Sequence, residues 1–453
     1  MISTDTAVRP ATPAPSRPAA APVPVRANRR EAAQRRVLAS SMVGNAGYGL
    51  LSTITVLYYS GALQLSATRI GLTLTAAGLA AALLGVPAGR LADTRIPARV
   101  GAGVSYLLLA VMESLLVLVR SFTLLVVVLT VAAGFEMLAR TMRQVTVAGL
   151  GGERAAEFRA KVAARANLAM LAGMGASSLV IACDSPAVYR AAIAAACVCT
   201  AGQGLLMLAV PADALPGPGG ADGSPLPSAG TAPSRWLVLR DLPYLAICGL
   251  YAVMTMAECV ITVALPLRIS QHTQAPTWLV GVFGIANVLA VGLLLTRVGR
   301  LVGTPARAGR AMAVGGALNG LFVLLLMLAA DRSPATSVAL LAAGMLLAVT
   351  AQLCVLPAEN ELTMTLAPAR ARGQYLGLSE TALTTALTLG PAVVTLATVD
   401  TGRTGWALLA AAFALAGAAA PAAARAAGRN TARATVEAAL GAAPSKCPPR
   451  PEG

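Results

Sequence analysis

The stretch Gly89-Arg90-Leu91-Ala92-Asp93-Thr94-Arg95-Ile96-Pro97-Ala98-Arg99 decides the fold. It packs one carboxylate and three guanidinium groups into a turn between two apolar runs, each long enough to cross a bilayer. A shorter copy, Gly299-Arg300-Leu301-Val302-Gly303-Thr304-Pro305-Ala306-Arg307, also lies between long apolar runs. With a two-residue gap, both read Gly-Arg-Leu, then Thr, then Pro-Ala-Arg. A basic turn repeated about 210 residues apart implies two related halves.

Composition fixes the class around these turns. Of 453 residues, 57% are hydrophobic and 12% charged, with a mean hydropathy of +0.71. Soluble domains carry roughly 25% charged residues, so this chain cannot shield its apolar surface from water. The net charge of +16 would suggest nucleic acid in a soluble protein, but here the arginines fall at the ends of apolar runs, where topology explains them. Of the seven cysteines, Cys183, Cys197, Cys199, Cys248, Cys259 and Cys354 sit inside apolar runs as packing residues, and Cys447 lies near the C-terminus. The single histidine, His272, falls in a connecting loop. Neither residue type builds a metal centre or a disulfide framework, and no cofactor is implied.

A bilayer core of ~30 Å needs about 20 apolar residues in a helix. Runs of that length fall at about 37–60, 70–89, 100–119, 121–140, 163–183, 188–210, 243–267, 277–297, 309–330, 336–358, 374–398 and 404–421. The expected fold is an all-α polytopic membrane protein whose twelve transmembrane helices form two pseudo-symmetric six-helix bundles. The expected order is a disordered N-tail at 1–36, a first bundle at 37–210 and a Pro/Gly/Ser-rich linker at 211–240. A second bundle at 241–421 and a disordered C-tail at 422–453 complete it. The N-terminus lacks the short apolar core of a signal peptide.

Lys and Arg set the orientation. The outer loops hold Arg69, Arg120, Arg190, Arg268, Arg332 and Arg403, one each, and the other 29 of the 35 basic residues fall on the opposite side. By the positive-inside rule both termini and both basic turns are cytoplasmic, and the expected location is the cell membrane.

Twelve spans, cytoplasmic ends, a central linker and the first basic turn together resemble the major facilitator superfamily. That family's signature loop reads G-x-L-A-D-R-x-G-R-K/R. Gly89, Leu91, Ala92 and Asp93 match it, Thr94, Ile96, Pro97 and Ala98 do not, and Arg95 and Arg99 keep positive charge nearby. The resemblance implies a secondary transporter that alternates access, not an enzyme, with spans one, four, seven and ten around a central cavity. It also implies that Asp93 latches the halves on the cytoplasmic side in the outward-open state. A carboxylate beside the N-terminus of an inner-side helix, such as that of span eleven near Gly373, would be stabilised by the helix dipole. The family's drug/proton antiporters often carry an arginine in mid-span four and a Gly-Pro motif in span five. Here span four has arginine only at its mouth, Arg120, and at its inner end, Arg140 and Arg143. Span five has Gly173-Met174-Gly175 without the proline.

Ionisable groups in hydrocarbon cost ~3 kcal/mol and face a cavity or a partner. Glu258, about sixteen residues into span seven, is the leading candidate, on a stripe with Tyr251, Met254 and Thr262. A desolvated carboxylate there can exchange protons near neutral pH or attract a cationic substrate; a structural glutamate bonded to a neighbouring helix is the competing reading. Asn45, Tyr48, Ser52, Thr55 and Tyr59 line one face of span one, suited to a wet cavity wall or to helix–helix bonding. Gln352 adds a polar group in span ten. Glu136 and Arg140, one turn apart, form an i,i+4 pair. With Gly89, Asp93, Arg95 and Arg99 they make up the expected gating loop and charge network, Glu136 also drawing on Arg95. Glu113, mid-span in span three, lacks an evident partner. The hydroxyls Ser379, Thr381, Thr384, Thr385 and Thr388 spread over several faces beside Glu380 and define no single site.

The reading reached is proton-coupled efflux of a small amphipathic drug or metabolite by an antiporter. The rivals are an importer or facilitator of a small metabolite, and a non-transporting sensor or assembly protein on a transporter fold. The partners are a small-molecule substrate, protons and the lipid bilayer; nucleic acid is excluded and an oligomer is not implied.

Overall fold

The computed structural model describes residues 23–62, 67–116, 119, 121–183, 185–215, 237–368 and 371–441. Among them are helices and no strands. In chain order these are α1 (Val23–Ala62), α2 (Ala67–Ala82), α3 (Gly85–Thr94), α4 (Ala98–Leu115), α5 (Phe122–Gly151), α6 (Ala155–Cys183) and α7 (Pro186–Leu208). The second set is α8 (Leu242–Cys259), α9 (Leu265–His272), α10 (Leu279–Gly299), α11 (Pro305–Leu328), α12 (Pro334–Leu366), α13 (Arg372–Thr395) and α14 (Gly402–Gly441).

These helices make twelve crossings. The second is α2 with α3, broken at Leu83-Leu84. The seventh is α8 with α9, joined by a π turn over Val260–Ala264. Pro266 explains that turn, because its ring cannot fit against the carbonyl four residues back and it donates no hydrogen bond. Eleven crossings are long and apolar enough to span a membrane on their described residues; the twelfth is α1, at 40 residues.

Helix starts follow local chemistry. Ser121, Asp241, Thr304 and Ser333 each accept a bond from the backbone N–H three residues on, and proline occupies the first turn of α7, α8, α11 and α12. Both basic turns join helices in equivalent places, α3 to α4 and α10 to α11.

Two expected boundaries are corrected. Residues 23–36, expected as disordered tail, are the start of α1, and α14 runs past Pro421 to Gly441. Electrostatics accounts for the first extension. Arg30 and Gln34 donate to the Leu150 carbonyl at the end of α5, and Arg36 donates to the Ala209 carbonyl at the end of α7, where helix dipoles favour cations. Arg29 bonds Asp213, which holds that carboxyl below its ordinary range. Most of the expected linker, 216–236, lies outside the described residues.

In the first half α1 packs on α6 and α7, and α4 on α5 and α7; in the second, α11 packs on α12 and α14, and α8 on α13 and α14. The halves meet where α13 lies on α2 and α3, and where α6 lies on α10. Counted within halves, both contacts set the second crossing of one against the fifth of the other, a two-fold relation.

Candidate transport site and gate

At the end of α8, midway along the seventh crossing, the Glu258 carboxylate meets Gln352 of α12, whose Nε2 donates to Oε2 at 2.9 Å. Both side chains line a cavity of about 50 Å³ with Met254, Thr255, Asn319 and Val355. Such a volume accommodates water when polar groups line it. Asn319, on α11, is 2% exposed; its Nδ2 donates to the Met254 carbonyl at 3.5 Å, and its Oδ1 has no partner among the described residues. One carboxylate, two amides and an otherwise apolar wall define the site.

The stripe expected on this crossing is only partly realised. Tyr251 is buried outside the cavity lining, with its carbonyl accepting from the Thr255 hydroxyl. Thr262 is exposed and donates to the Glu258 carbonyl, because the π turn shifts the helical register. On α1, Asn45 donates one N–H to the Ser41 carbonyl of its own helix at 2.8 Å. Tyr48 is 54% exposed and lies within electrostatic reach of Glu136 and Arg140. The side chains of Ser52, Thr55 and Tyr59 lie outside the described residues.

At the Asp93 end the halves are locked together. The Gly373 N–H donates to Asp93 Oδ1 at 2.7 Å and the Gln374 N–H to Oδ2 at 3.1 Å, which seats the carboxylate on the N-terminus of α13. Glycines permit that approach. A Cβ on Gly89 would lie 1.8 Å from the Gly373 carbonyl oxygen, and one on Gly377 would lie 2.2 Å from that of Gly85. Gly85 and Gly89 are thus one Gly-x-x-x-Gly pair facing another, Gly373 and Gly377.

Two buried ion pairs flank this contact. Arg140 of α5 lies 3.5 Å from both Glu136 and Glu380 of α13, and Gln144 donates to Glu380 at 2.9 Å. Arg159 of α6 lies 3.4 Å from Glu359 of α12, which also accepts from Thr363 and from Ser379 at 2.6 Å. Glu380 and Glu359 are 2% and 3% exposed. Each pair crosses the seam with arginine on the first half and glutamate on the second. Thr381 adds a bond to the Ala82 carbonyl, so the hydroxyls of α13, which define no site in the sequence, belong to this seam.

The expected charge network is corrected at two positions. Arg95 makes no ion pair with Glu136 or Asp93 among the described residues; Glu136 forms only the expected i,i+4 pair with Arg140. Arg99 turns to α7 and donates to the Leu208 and Val210 carbonyls. Glu113 faces Thr200 of α7, away from Glu258. Arg159, Glu359 and Asn319 are the members that the sequence did not single out, or did not pair.

The family model for the Major Facilitator Superfamily matches residues 37–391. No curated protein matches the chain. Among solved structures, a bacterial homologue of the iron transporter ferroportin in an outward-facing state superposes with a TM-score of 0.66 at 15% identity, over 88% of this chain and 99% of that one. The human organic anion transporter MFSD10 (TETRAN) gives 0.60 at 16% identity, over 86% and 99%. The transporter FucP, in the outward conformation, gives 0.58 at 17% identity, over 86% and 97%. At these identities the likeness is one of fold.

Fold, seam and cavity therefore describe a multi-pass membrane transporter rather than an enzyme. The chain belongs to the major facilitator superfamily.

Proposed function

We propose that the protein exports a small amphipathic compound across the cell membrane in exchange for protons, with Glu258 as the shared site for proton and substrate. The observation that carries this reading is the Glu258–Gln352 hydrogen bond in the wall of a mostly apolar cavity. Among the described residues the carboxylate, held by one neutral amide, has no ion-pair partner, so a proton or a cationic group on the substrate is its natural partner. Met254, Val355 and Leu356 favour a lipophilic body over a polyhydroxylated one. Alternation breaks the Asp93 latch and the two ion pairs at one end while a seam forms at the other. The basic-residue asymmetry supports a cytoplasmic place for the latch and for both termini.

Flux in proteoliposomes tests this reading. An imposed proton gradient, inside acidic, is expected to drive accumulation of a permanently charged lipophilic cation such as ethidium, which is not trapped by protonation. Accumulation only against the opposite gradient establishes the importer. Flux that runs down the solute gradient whatever the proton gradient establishes the facilitator, and neither flux nor ligand stabilisation across a broad panel establishes the non-transporting sensor.

A further inference from the structure

On the outside of the α6–α10 contact stand four cations, Lys161, Arg165, Arg297 and Arg300, and one carboxylate, Glu157, which pairs with two of them. Glu157 lies 3.3 Å from Lys161 on its own helix and 3.2 Å from Arg300 across the seam. Arg165 and Arg297 are exposed and form no ion pair among the described residues. Glycine contacts fix the register of the two helices: Gly299 lies opposite Ala160, and Gly292 opposite Ala164 and Leu168. Arg297 is therefore level with Lys161 and Arg165.

These side chains face lipid rather than the core. At about 100° per residue, Lys161 and Arg165 lie about 200° and 240° round α6 from the core-facing Arg159, on the face of the exposed Leu179. Arg297 lies about 40° from Leu293 on α10, a leucine 60% exposed. Arg165 stands at the mouth of the fifth span, which starts near residue 163, at the level of the lipid headgroups.

We propose that Lys161, Arg165 and Arg297 bind the phosphate of an anionic phospholipid at this rim, with an acyl chain along Leu293 and Leu289. Arginine offers a fork of donors that matches phosphate oxygens, and the apolar residues beside it suit a lipid tail rather than a free anion. Because the cations come from both halves, one headgroup bridges the seam beside Glu157 and Arg300. Anionic lipid then favours the conformation closed at the Asp93 end.

The test is titration of the full chain in detergent with dioleoylphosphatidylglycerol, bound lipid being counted by native mass spectrometry. R165Q/R297Q is expected to weaken binding by roughly thirtyfold, what two basic contacts at a membrane surface are worth together. R165K/R297K keeps most of the affinity, and R310Q, on α11, leaves it unchanged. Should the double variant fail to fold, R297Q alone reads a loss of about fivefold. Undiminished binding in the glutamine variants overturns the proposal, as does phosphatidylcholine binding equally well. Displacement of the lipid by millimolar inorganic phosphate overturns it too, by showing a soluble-anion site.

Discussion

Glu258 and Arg159 show two ways of placing a charge in a membrane protein. Glu258 is bonded to a neutral amide and opens on a cavity, so its charge is available to a ligand. E258Q keeps the shape and removes the titration. Proton-driven flux is expected to vanish while expression and solute exchange without a gradient persist; full coupled flux in E258Q removes Glu258 from the mechanism. Arg159 is committed to Glu359 in the seam. Breaking a buried pair by removing one partner leaves an uncompensated charge, at about 3–5 kcal/mol. R159Q is therefore expected to lower thermal stability markedly, and the combined R159Q/E359Q to recover most of it; a double variant no more stable than R159Q contradicts the pairing. Glu258 and Gln352 are legible in the sequence because an acid and an amide stand out in apolar runs. The Arg159–Glu359 pair is not, because each residue sits at a helix end crowded with ordinary topological charge. Their partnership exists only once α6 and α12 are brought together from different halves.

At the scale of elements, the contact between α3 and α13 depends on having no side chains where the backbones touch. Alanine at position 89 gains about 1 kcal/mol of helix propensity, but its Cβ would collide with the Gly373 carbonyl, and overpacking typically costs 1–3 kcal/mol. The clash wins. G89A is expected to reduce flux and stability and to increase labelling of cysteines placed behind the Asp93 latch. G71A, inside α2 where a Cβ meets nothing within 4 Å, is expected to leave flux and labelling unchanged and to raise stability slightly. Equal behaviour of the two variants contradicts the close-packed contact. The turn that opens the sequence analysis points to Asp93, and the family resemblance to a latch; that the α13 N-terminus is what Asp93 caps comes from the structure. The glycine match was hidden, since Gly85 and Gly377 are common residues in apolar runs and acquire meaning only from the facing helix. The π turn in the seventh crossing was also hidden, and it moved Thr262 off the expected stripe.

Over the whole molecule, spacing and hydropathy are enough to give twelve crossings, because the bilayer imposes one helix length. The ends were less legible: α1 and α14 extend beyond their apolar parts on arginine-rich segments, which composition alone reads as solvated tail. What joins the scales is the claim that the halves separate at the Asp93 end once per cycle. Glu157 and Arg300 meet across that seam at 3.2 Å on its outer rim, away from the Glu258 cavity. The most direct measurement is flux through E157C/R300C, made in a background lacking the seven native cysteines and joined by a short cleavable thiol cross-linker. The account predicts that flux stops when the two positions are linked and returns when the linker is cut. Undiminished flux through the linked protein would contradict it.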